Sequence, residues 1–358
     1  MSLEKEIKKG ALTIATDAYD MSVGELMNIY RDGELVVNPE FQRLFRWSLY
    51  QKSHFIESLL IGIPVPSIFV FEKPDGAWEL IDGLQRVSTI LEFAGHLKKP
   101  NGKLYPPSTL EGTRSLPSLD DVSWSDLSPG QQIAIKRARI GVQILRKTSD
   151  IKAKYDLFQR LNSHGTQASE QELRNCVLYM MNDKLFAQMK EDSEKPAFKK
   201  LMQASTLATE RQAMMDYLTR FYVFQFVDYD KSWNIEEYLN SGLIEIAEDD
   251  DENIEYMRSV FSRTLKIFEN IGEYNILKRY ANDRFIQKVG QAGFEVIFLG
   301  VAKNIDAIEK KANPGNYVLN RAKSFWNQNG VSDFTKAGLT GTTRIQKTIA
   351  FGSSWFSK

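Results

Sequence analysis

Apolar residues recur along this chain with two different spacings, and the change of spacing divides it. In the first half, short alternating runs interleave with helical periodicity. Ser22-Val23-Gly24-Glu25 has the form of a capping box, in which a serine hydroxyl and a glutamate three residues on satisfy each other's backbone N–H groups. A helix is predicted from there to Arg31, ended by Asp32-Gly33 and followed by a short extended Leu35-Val36-Val37. Ser48-Leu49-Tyr50-Gln51 is a second such box. After it, Phe55, Ile56, Leu59 and Leu60 fall on one helical face up to Gly62. Ser67–Glu72 and Trp78–Ile81 read as strands joined by a Pro74-Asp75-Gly76 hairpin turn. Another helix is expected to start just after Gly83 and to bury Val87, Ile90, Leu91 and Phe93. Residues 98–129, rich in Pro, Ser, Gly and Asp, read as a long insertion with little regular structure. Ile140, Val142 and Ile144 alternate with polar or small residues, which predicts a half-buried strand. A helix from about Asp150 to Leu161 follows, and Ser169-Glu170-Gln171-Glu172 caps the next one.

The second half changes to a mostly helical pattern. Met214, Met215, Leu218, Phe221 and Tyr222 form one apolar face, and Ile254, Met257, Phe261, Leu265 and Phe268 form another. Such stripes are core packing. The five consecutive acids at 248–252 read as a solvated loop, because a calcium loop needs alternate ligands and a central glycine. The chain therefore reads as α+β (mixed α/β), with a domain carrying a small sheet over residues 1–165 and a helical domain over 166–358.

Composition narrows the chemistry. Lys+Arg and Asp+Glu are 46 each, so the formal net charge is zero and any nucleic-acid contact has to come from a local patch. Cys176 is the single cysteine and the three histidines lie far apart, which excludes an intrachain disulfide and disfavours a His/Cys zinc site. The longest apolar run, around Leu59–Phe71, holds two prolines and is too short to cross a bilayer, so a cytoplasmic protein without membrane contact is expected.

Three clusters carry candidate chemistry. In Ile81-Asp82-Gly83-Leu84-Gln85-Arg86 a predicted strand runs directly into a predicted helix. Unpaired N–H groups and the positive end of the dipole make a helix start attractive to anions. Gly83 would let the backbone approach a ligand, Arg86 in the first turn would be relieved by an anion, and Asp82 would hold a metal or orient water. The same residues also fit a plain Asp-Gly turn with a surface arginine. The second cluster, residues 38–47, sets Gln42 and Arg43 among Phe41, Phe45 and Trp47; it is a phosphate-binding loop or an ordered loop anchored by its aromatics. The third, Phe158–Thr166, offers Arg160 and Asn162 before a helix that carries Arg174 and Asn175. Separately, Lys136, Arg137, Arg139, Arg146 and Lys147 lie in a stretch without an acid, where a phosphate backbone would bind or a solvated face would suffice.

Taken in order, FQRLFRW, IESLLIGIPVPSIFVFE, WELIDGLQR and FQRLNSHGTQASEQELRN resemble the N-terminal domain family of GmrSD-type restriction endonucleases. Its hallmark is DGQQR, preceded by FQRxxxW and followed by F-x-RLN-x-G-x-x-L. Ala292–Glu295 and Thr342–Ile345 are weakly similar to the family's later helical segments. The resemblance implies a ParB/sulfiredoxin-like nucleotide-binding domain followed by helices, and Mg²⁺-dependent binding and hydrolysis of a nucleoside triphosphate in defence against modified phage DNA. It places nucleotide contacts at Gln42, Arg43, Gly83, Gln85, Arg86, Arg160 and Asn162, catalytic roles at Asp82, Gln85 and Arg86, and the metal at Asp82. Arg139 and Arg146 are the expected DNA contacts. Leu84 stands where the family has glutamine, which removes a hydrogen-bonding side chain. The last histidine is His164, so an HNH nuclease site is not expected beyond it, and cleavage would fall to a separate nuclease subunit. The alternatives are a non-catalytic DNA-binding module of the same fold, or a direct nuclease using Asp82 and Glu40.

Overall fold

The computed structural model describes residues 16–37, 47–73, 75–99, 101–145, 169–203, 212–230, 232–286, 289–329, 331, 333 and 341–357. The chain divides into two compact units, Met1–Ala168 and Ser169–Lys358.

The first unit is built on five strands: β1 (Thr16–Ser22), β2 (Leu35–Val36), β3 (Ile68–Glu72), β4 (Trp78–Asp82) and β5 (Arg139–Leu145). They lie in the order β1-β5-β3-β4-β2. The β1–β5 and β3–β4 pairs are antiparallel, and β5–β3 and β4–β2 are parallel, so the sheet is mixed. The alternation in β5 is read correctly from sequence: Ile140, Val142 and Ile144 are buried and Arg139, Gly141 and Gln143 are more exposed, while Leu145 at the strand end is buried as well. β1 escaped the pattern because it lies on the sheet edge and Asp17–Asp20 are exposed, leaving Met21 as its buried apolar residue.

Among the described residues, four helices accompany the sheet: α1 (Val23–Arg31), α2 (Leu49–Ile61), α3 (Leu84–Phe93) and α4 (Pro129–Arg137). Ser48 and Gln51 form the full capping box of α2. At α1 only half of the box forms: Ser22 accepts from the Glu25 amide, but the Glu25 carboxylate accepts from the Tyr19 hydroxyl at 2.7 Å instead. The insertion at 98–129 is more ordered than its composition suggests. It contains 3-10 turns at Pro117–Leu119 and Trp124–Asp126, and it docks on α2. There the buried Glu57 carboxylate accepts from the amides of Ser115 (2.7 Å) and Leu116 (2.8 Å), and Ser53 Oγ accepts from the Glu111 amide.

The second unit is helical, and both apolar stripes read from sequence are buried in its core. Phe298 stacks on Phe268 and Phe294 there. Two details depart from the pattern reading. The acidic run is not merely a solvated loop: Asp250 caps the helix Asp251–Ile271 by accepting from the Asn253 amide, and Asp251 and Glu252 sit in its first turn, where negative charge meets the positive dipole end. A two-stranded hairpin, Arg279–Ala281 with Arg284–Ile286, also interrupts the helices. Its turn residues Asn282 and Asp283 both take positive φ, the left-handed conformation a two-residue hairpin requires.

Candidate functional site

Asp82 ends β4, and Gly83 is the left-handed hinge (φ 96°) through which the chain enters α3. The register between β3 and β4 shifts next to this point, so that Asp82, Phe69 and Gln143 lie in one row across three strands. The irregularity re-aims the end of β4, as bulges beside functional sites do.

Gly83 also has a role in packing. A Cβ there would lie 2.4 Å from Ile68 Cγ2 and 3.2 Å from an Arg86 Nη, so the missing side chain makes room for the protein's own β3 and arginine. Arg86 is not the exposed cation expected. It folds back so that one Nη donates to Asp82 Oδ2 at 2.9 Å and to the Ser67 carbonyl at 3.1 Å, leaving 15% of its side chain exposed. Asp82 keeps 33%. The two form a clasp across Gly83. Arg86 Nε is buried with no acceptor among the described residues, a donor left over in a motif where buried donors are normally paired.

Gln85 Oε1 accepts from the Trp47 amide at 3.1 Å, and Trp47 packs edge-on against Phe55 of α2 at 5.5 Å. The last residue of the FQRLFRW segment is thus tied to the DGLQR turn, a juxtaposition that spacing in sequence does not reveal. Leu84 is 9% exposed, so it belongs to the core and is not a lost polar contact facing outward. The start of α3 has no side-chain cap and no acid in its first turn. That leaves the positive end of a ten-residue helix unneutralised beside a half-exposed glutamine.

Asp82, Gly83, Gln85 and Arg86 therefore stand together, whereas Arg139 is exposed at the start of β5, opposite Ser22. Gln42, Arg43, Arg146, Arg160 and Asn162 lie outside the described residues, as do Glu40 and His164. Arg174 and Asn175, in the second unit, are interior residues. Arg174 is 2% exposed, and its donors reach Gln171, Glu236, Asn240 and Asp216. Such a saturated guanidinium holds helices together and is not free for a ligand.

A large cavity lined by described residues of the first unit does not lie at this turn. It has a volume of about 850 Å³ and reaches Trp78, at the opposite end of β4. Asp17, Glu25, Asp32, Glu34 and Asp75 line it, and five carboxylates are the wrong sign for a phosphate.

Residues 23–179 match the family model of the GmrSD restriction endonuclease N-terminal domain. The match runs from the first residue of α1, past the division between the two units, into the helix Glu170–Met181. No curated protein and no solved structure matches the chain.

Proposed function

Because residues 23–179 belong to the GmrSD restriction endonuclease N-terminal domain family, we propose that this protein binds a nucleoside triphosphate and acts as a regulatory subunit of a modification-dependent DNA restriction system. The observation that carries the reading is the start of α3: an uncapped helix terminus, with no acid in its first turn, directly after a glycine hinge and flanked by Asp82, Gln85 and Arg86. Amides at such a terminus bind phosphate oxygens with the dipole favouring the negative charge. Arg86 has an unused Nε donor and would exchange its contact with Asp82 for one with phosphate. Arginine near the transferring group offsets charge that develops on the leaving phosphates.

A Mg²⁺ ion entering with the triphosphate would be held by Asp82 and would neutralise phosphate charge. One carboxylate suffices in that mode, because Mg²⁺ keeps waters and takes its other ligands from phosphate. A resident metal fits less well, since no three His, Cys, Asp or Glu side chains among the described residues are grouped to hold one. DNA would be met by the exposed Arg139 and by Arg146, and cleavage would belong to a partner nuclease. A second reading, a DNA-binding module without turnover, is favoured by Leu84, whose burial puts an aliphatic chain where the family motif has glutamine.

Phosphate release from each of the four common nucleoside triphosphates, with and without modified DNA, separates the two. Turnover that responds to DNA supports the regulatory subunit. Triphosphate binding without turnover supports the module, and DNA cleavage by this chain alone overturns both.

A further inference from the structure

A second, smaller cavity of about 490 Å³ lies between α1, α4 and the turn after α3. Three cationic or titratable side chains converge on it from three elements: Arg31 from the end of α1, Lys136 from the end of α4, and His96 from the turn. Asn28 adds an amide. The one carboxylate on its wall is Glu25, already occupied by the Tyr19 hydroxyl, and Asp32 pairs with Arg31 Nε at the exposed rim. The walls are held at a fixed spacing. The Val23 amide donates to the Ala138 carbonyl at 2.8 Å, and a Cβ on Gly24 would stand 3.3 Å from the Lys136 carbonyl oxygen. Lys136 also lies over the Trp124 ring at 5.8 Å, which positions its ammonium.

We propose that this cavity receives a backbone phosphate of DNA, with Arg31, Lys136 and His96 as its ligands. The neighbouring surface selects DNA over a free anion. Arg137 and Arg139 are exposed beside it, and Arg139 lies opposite the cavity residue Ser22 in the β1–β5 register. A lone phosphate would leave both arginines unused, whereas a strand carries successive charges past them. The arrangement also accounts for the titration of His96, which burial, then Arg31, then Lys136 hold below the usual histidine value. A bound phosphate offsets those two cations. The proposal rests on the reading that the chain works on DNA, and not on the nucleotide site.

The test uses the full chain, a short DNA duplex and inorganic phosphate as separate probes. With three histidines, each imidazole can be followed individually by NMR. Duplex is expected to raise the His96 titration midpoint. Arg31→Gln together with Lys136→Gln, both exposed positions, should weaken duplex binding at least tenfold. The double change should also flatten its logarithmic salt dependence by about 0.9, the value for one lost phosphate contact. Triphosphate binding, measured on the same variant, should not change, so failure here is distinguishable from failure of the nucleotide reading. Wild-type duplex affinity and salt slope in the folded variant would overturn the proposal. So would a His96 response to inorganic phosphate with none to duplex, or no response to either.

Discussion

At Gly83 the side chain that is missing does the structural work. An alanine there takes a left-handed φ and sets its Cβ 2.4 Å from Ile68 Cγ2. Left-handed backbone costs about 1–2 kcal/mol for an L-residue and overpacking about 1–3 kcal/mol more. Gly83→Ala is therefore expected to lower unfolding stability by about 2–5 kcal/mol in a urea titration; an unchanged midpoint would mean that the hinge relaxes freely. Arg86 has a structural share as well as a ligand share, because it joins Asp82 to the Ser67 carbonyl. Charge-assisted hydrogen bonds contribute about 1.5–3 kcal/mol, so Arg86→Ala should be measurably less stable by denaturation as well as weaker in triphosphate affinity. Stability equal to the wild type would show that the clasp contributes nothing to folding. Pattern alone marked the DGLQR residues and read the glycine and the arginine toward a bound anion or a plain turn, but it did not show that both also pack against the protein's own chain. Neither contact was legible, because Ile68 and Ser67 reach the turn only once β3 pairs with β4.

Elements follow the sequence most closely where local chemistry decides them. Ser48, Ser128 and Ser169 each complete a capping box with a residue three positions on, and the boxes at Ser48 and Ser169 are legible in the sequence. The insertion at 98–129 was not legible, because its order comes from hydrogen bonds between residues well apart within it and from its contact with α2. Its anchor is Glu57, one turn from the end of α2, whose carboxylate receives two amides and lies 3.1 Å from His54 Nδ1. Removing that acceptor leaves two amides without their partner. Glu57→Ala is expected to cost about 2–4 kcal/mol, from charge-assisted bonds and the desolvation of the amides left behind. It should also open the insertion to limited proteolysis between Gly102 and Ser128 while the second unit resists. Cleavage in that window no faster than in the wild type would contradict the anchoring role. The Asn282-Asp283 hairpin failed for a different reason: its two strands are three residues each, too short to show alternation against helical surroundings.

For the molecule as a whole, the chain divides into a unit with a sheet and a helical unit, and the family match crosses the division. No helix among the described residues is long and apolar enough to cross a membrane. Net charge is zero, so the proposed recognition of polyanions would depend on local features: the uncapped start of α3 and the cationic surface around Arg31, Lys136 and Arg139. The central claim is that the α3 terminus binds a triphosphate, and Gln85→Glu tests it with little disturbance of the fold. The glutamate keeps an oxygen for the Trp47 amide, and a negative charge in a first helical turn is favourable to the helix itself. The same charge repels phosphate. Calorimetric titration of Mg²⁺-triphosphates into the two proteins is expected to show binding of at least one nucleotide to the wild type and a loss of at least tenfold, about 1.4 kcal/mol, in the variant. Equal affinity in the two folded proteins, or no binding of any of the four nucleotides to the wild type, would contradict it.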